Sequence, residues 1–148
     1  MINETFKVTG QVAIKLYDKN GKLKDSRDVN NLVVTAGKGF ISGRMITASV
    51  PIMSHMALGS GTTAPAAGDT ALESILGVRE LLDTGTSPAA GVVLYTSSFE
   101  VGEATGAVTE AGVFNGASGG TMLCRTTFPT INKSATDTLS ITWTITIS

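Results

Sequence analysis

The chain has 148 residues, of which 42% are hydrophobic and only 5% aromatic, with 11 basic side chains against 12 acidic ones, one His and one Cys. That length suits one core. The nearly cancelled charge shows no basic face to neutralise phosphates, so nucleic acid is not an expected partner, while Cys124 has no disulfide mate and His55 excludes a His-rich metal site.

Residues 6–17 alternate in polarity, with Val12, Ile14 and Leu16 on one face and Ala13, Lys15 and Tyr17 on the other, which predicts a strand. Asp18-Lys19-Asn20-Gly21 supplies turn chemistry, so residues 1–30 are expected to form an N-terminal hairpin, in part an arm. After Leu32-Val33-Val34, Thr35 is placed to cap a short helix carrying Phe40, Ile41, Met45 and Ile46. Gly37, Gly39 and Gly43 weaken that helix by up to about 1 kcal/mol each.

Residues 55–58 predict a short strand, followed by a loop of small residues from Gly59 to Gly68. Thr70 and Glu73 form a capping-box pattern that predicts a turn or two of helix through Ile75. Further strands are expected at 78–82, 92–101, 107–114 and 121–128, with a loop at 84–91, turns at 102–106 and 115–120, and a polar connection at 129–138. Residues 139–148 alternate without a break, placing Leu139, Ile141, Trp143, Ile145 and Ile147 on a buried face and hydroxyl residues on the other. Short strands spaced by about 8–12 residues argue for a mainly β, antiparallel sandwich or barrel with one or two short accessory helices, in a single domain over 1–148.

Residues 1–6 lack the basic and apolar regions of a signal peptide, and no apolar run approaches the roughly 20 residues that span a bilayer. A soluble product made in the cytoplasm, with no membrane partner, is therefore expected. Gly59-Ser60-Gly61 has the glycines of a phosphate cradle, but no Lys follows before Lys133, so it reads as a connection. His55 beside Met53 and Met56 reads as a packed residue, and Trp143 as core rather than a ligand platform. Glu103 and Glu110 invite comparison with a glycosidase acid pair, but one falls in a turn and the other in a strand. No catalytic, cofactor or metal site is assigned, and no enzyme is expected.

Glu110 is the most informative charge. It shares the alternation parity of Val108 and Phe114, so on a buried face it needs a cation, and Arg79 or Arg125 is expected to supply it in a structural ion pair.

Four segments in order, Asn31-Leu32-Val33-Val34-Thr35-Ala36-Gly37-Lys38, Ala57-Leu58-Gly59-Ser60-Gly61-Thr62-Thr63-Ala64-Pro65 with Asp69-Thr70-Ala71-Leu72-Glu73, Thr109-Glu110-Ala111-Gly112-Val113-Phe114-Asn115, and Gly120-Thr121-Met122-Leu123-Cys124-Arg125-Thr126-Thr127-Phe128-Pro129, resemble small virion structural proteins of tailed bacteriophages, of the capsid decoration or cement type. The likeness covers most of the chain from residue 31 onward. It implies a jelly-roll-like β-sandwich, a place on the virion capsid surface after assembly in the host cytoplasm, and no catalytic residue or cofactor. The implied partners are the major capsid protein and further copies of the chain as a homodimer or homotrimer. A tail, baseplate or fibre component is the alternative, and a carbohydrate-binding module is disfavoured by the scarcity of aromatic residues.

Overall fold

A computed structural model describes residues 2–148, which form two five-stranded antiparallel sheets and one short helix, an arrangement consistent with a β-sandwich. The first sheet has the order β2 (Leu23–Asn30), β1 (Val8–Tyr17), β10 (Thr138–Ile147), β7 (Val92–Phe99) and β6 (Thr84–Ala89). The second has the order β3 (Leu32–Val33), β9 (Met122–Lys133), β8 (Gly106–Phe114), β4 (His55–Gly59) and β5 (Ile75–Leu81). The helix α1 spans Thr35–Gly43.

Alternation in β1 and β10 has the consequence the sequence predicts. Val12 lies opposite Trp143 and Ile14 opposite Ile141, and all four side chains are buried. They share one apolar core with Met56, Leu58, Val108, Val113 and Ile131 of the second sheet. Burying Trp143 alone removes about 150–250 Å² from water, worth about 4–6 kcal/mol at ~25 cal/mol per Å². The β1–β2 turn is set by Asp18, whose Oδ1 accepts from the backbone N–H of Asn20 and Lys22, and by Gly21 at φ 78°.

Several expectations are corrected. Thr35 is the first helical residue rather than the cap, and Val34 in the cap position makes no side-chain capping bond. Met45 and Ile46 lie beyond the helix and are 86% and 89% exposed. The helix expected at 70–75 does not form, because the backbone N–H groups of Glu73 and Ser74 are directed to a carboxylate from β8. The loop expected at 84–91 contains β6, an edge strand of exposed small residues with no apolar alternation to betray it. Val101, the last residue of the strand expected at 92–101, lies beyond β7 and is exposed in the following turn.

The polar connection expected from residue 129 begins only after Lys133, since β9 continues through Pro129. Proline is tolerated there because the register slips. Val108 faces Ile131 whereas Glu110 faces Thr127, so residues 128–130 bulge against Thr109. The same bulge breaks the expected parity: Val108 enters the core between the sheets, whereas Phe114 joins a second apolar cluster with Val34, Ala57 and Met122.

Candidate functional site

Glu110 is fully buried on β8 and sits at the centre of the most densely bonded polar cluster among the described residues. Its Oε1 accepts from the backbone N–H of Gly61 at 3.0 Å and Ser74 at 2.8 Å, and its Oε2 from that of Glu73 at 3.0 Å. Arg125, on the neighbouring β9, brings Nε to 3.0 Å and Nη2 to 2.9 Å from the same Oε2. The guanidinium then continues outward. Its Nη1 lies 2.9 Å from Asp69 Oδ2, and its Nη2 donates to the Thr63 carbonyl at 3.0 Å.

The segment between β4 and β5 is thereby tied down from several sides. Thr63 N–H donates to Glu73 Oε2, Ala66 N–H to Asp69 Oδ2, and the Thr109 hydroxyl to the Gly61 carbonyl. Gly59 and Gly61 are small because the carboxylate lies against them. A Cβ on Gly59 would stand 2.5 Å from Glu110 Oε1 and from the Ser74 carbonyl oxygen, and one on Gly61 would stand 2.5 Å from Glu73 Cβ. Close backbone approach to a buried anion, rather than to a phosphate, is the use of this Gly-Ser-Gly. Leu72 completes the cover by packing on the cluster of Val34, Ala57, Phe114 and Met122.

Burial raises the Glu110 pKa, but the Ser74 and Glu73 amides, Arg125 and the Gly61 amide outweigh it and hold the carboxyl below the usual glutamate range. Glu110 is therefore an anion fixed by donors, unsuited to giving or taking a proton near neutrality.

Arg79, the other candidate cation, lies elsewhere. Its guanidinium carbon stands 3.7 Å above the Phe114 ring centroid, and its Nη1 donates to the carbonyls of Gly116 and Gly119 at 2.9 and 2.8 Å, pinning the turn after β8. Glu103 lies in the turn after β7, where its carboxylate accepts from the Glu100 backbone N–H at 2.7 Å. His55 Nδ1 is 2.8 Å from Ser54 Oγ, and burial, then the charge of Arg79, lowers its pKa. Cys124 is buried and its thiol is pushed well up by desolvation, so it is not a ready nucleophile. Among the described residues, no group of three or more His, Cys, Asp or Glu side chains is placed to hold a metal ion.

A second polar cluster has no counterpart in the expectations. Asp137, 2% exposed, accepts from Lys24 Nζ at 2.8 Å and from the Ser134 backbone N–H at 2.9 Å, while Lys133 Nζ donates to the Glu100 carbonyl at 2.9 Å. These three bonds fasten the β9–β10 turn. The signal for it is weak, since Lys133 and Asp137 look like ordinary loop charges in a polar stretch.

Two further recesses lie away from this cluster. One of about 450 Å³ is lined by Phe6, Val8, Ile41, Met45 and Ile147 with Lys38 and Ser42 at its rim, and one of about 210 Å³ by Thr9, Gln11, Asn30, Thr144 and Thr146. Neither brings two ionisable side chains together. Comparison of the chain with protein-family models, with curated proteins and with solved structures finds no match.

Proposed function

We propose that this protein is a bacteriophage virion structural protein, a capsid decoration or cement protein whose two sheets form a jelly-roll-like sandwich. On this reading it has no active site. It straddles neighbouring copies of the major capsid protein on the capsid surface, and the head cannot expand further or come apart without also breaking the contacts of the straddling domain. Weak contacts suffice when many copies, themselves oligomeric, bind at once.

The observation that carries the reading is the use made of the buried charges. Glu110 and Arg125, together with the partly exposed Asp69, are spent on fastening a 15-residue connection, residues 60–74, against β8 and β9. Such cross-bracing makes a rigid block with a fixed outer surface, as a mechanical part requires, instead of a cleft with converging reactive groups. The four-segment resemblance supplies the virion setting.

Quantitative mass spectrometry of purified virions tests it. Copies in the hundreds per particle, and a higher disruption temperature when the protein is added to expanded shells that lack it, are expected. A few copies per particle would overturn the proposal, and multiples of three or six would point to the tail.

A further inference from the structure

Before β1 enters its sheet, residues 2–6 run without secondary structure, and their large side chains stay out of the core: Ile2 is 95% and Phe6 74% exposed. Lys7 is the first anchored residue, exchanging backbone hydrogen bonds with Ser148 at 2.7 and 2.9 Å. Beside that anchor lies the apolar recess of about 450 Å³ lined by Phe6, Val8 and Ile147, by Ile41 of α1 and by Met45 just beyond it. Met45 and its neighbour Ile46 are also almost wholly exposed. One face thus carries a projecting apolar segment and, next to it, an unfilled apolar socket.

We propose that two copies of this chain pair through this face, the segment Ile2–Glu4 of each lying against the recess of the other while Phe6 stays in the wall of its own. The inference does not depend on the virion reading. Three features favour a second copy over an unrelated partner. Peg and socket are both on this chain, so one two-fold axis satisfies both at once, as an isologous interface requires. Ile2 and Glu4 are two residues apart, so in an extended segment they point the same way, and Lys38 lines the recess, so Glu4 meets the opposite charge. Neither Glu4 nor Lys38 has an ion-pair partner among the described residues. Finally, Ile2, Phe6, Met45 and Ile46 offer on the order of 500 Å² of apolar surface per copy, and two such faces approach the roughly 1,000 Å² of a specific interface.

Sedimentation equilibrium of the full chain is the first test, and a dimer is expected, with a dissociation constant raised about tenfold or more by Met45→Asp. Met45 is exposed, so this variant keeps the fold. Glu4→Lys is expected to weaken pairing and Lys38→Glu, added to it, to restore it. A mixture of Ile2→Cys and Met45→Cys chains is expected to form a mixed disulfide under mild oxidation, which only an intermolecular contact permits. A monomer at about 100 μM, or a dimer indifferent to Met45→Asp and without the mixed disulfide, would overturn the proposal. Neither result bears on virion copy number.

Discussion

A carboxylate with no exposure, such as Glu110, keeps its charge only if donors replace its water, and here three backbone amides and one guanidinium do so. A buried pair of this kind adds little net stability over apolar residues, but breaking it is costly. Arg125→Met is accordingly expected to lower the unfolding free energy by about 3–5 kcal/mol in urea titrations. Adding Glu110→Leu should not recover the loss, because the amides of Gly61, Glu73 and Ser74 would then be left without an acceptor. Acid should act through the same group. With its folded-state pKa held below the ordinary glutamate value, the unfolded chain takes up the proton first as pH falls. The stabilisation is complete above the ordinary glutamate range and is lost as pH drops through the folded value. Asp137, held low chiefly by Lys24, has the same sign. The urea midpoint is expected to fall between neutrality and about pH 3, with a shallower pH slope for Glu110→Gln than for the native chain.

At the scale of elements, strands on the shared core are readable where one face is buried, because alternation is then unavoidable: β1 and β10 follow their apolar residues closely. Where tertiary demands override local pattern, the sequence misleads. Thr70 and Glu73 carry a helix-start signature, yet the amides of Glu73 and Ser74 bind Glu110, 37 and 36 residues later in the chain. The need for a cation near Glu110 could be read from its charge and strand position. Which arginine answers depends on register: Arg125 lies across from Gly112, one strand away from Glu110, whereas Arg79 on β5 turns to the Phe114 ring. A bulge of the kind at residues 128–130 has no local marker beyond Pro129. The connection over 60–74 is where these choices meet, and the glycines at its start and within it can be ranked. Gly59→Ala sets a methyl against a backbone carbonyl and is expected to cost about 1–3 kcal/mol. Gly68→Ala meets nothing within 4 Å and should stay within about 0.5 kcal/mol of the native chain by thermal denaturation.

Across the whole molecule, the two sheets are joined chiefly by what lies between them. Trp143 from the first sheet and Met56, Leu58 and Val113 from the second are buried in the same cluster, and neither sheet has another partner for its inner face. A sheet stripped of the other would expose that face to water, at about 25 cal/mol for each Å² of apolar surface, so separate unfolding of either sheet is unfavourable. The outer cover, residues 60–74, is held differently, by ionic and backbone bonds to β8 and β9. Trp143 is the only tryptophan and has no exposure, which makes its fluorescence a reporter of the inter-sheet core alone. In urea its emission is expected to shift to the red at the same midpoint at which the β signal in far-ultraviolet circular dichroism is lost. If the shift came first, with the β signal intact, the sheets would hold without their shared core, and the core would not be what unites them. In Arg125→Met both signals should move together to lower urea, since β8 and β9 supply the floor of the core as well as the anchor of its cover.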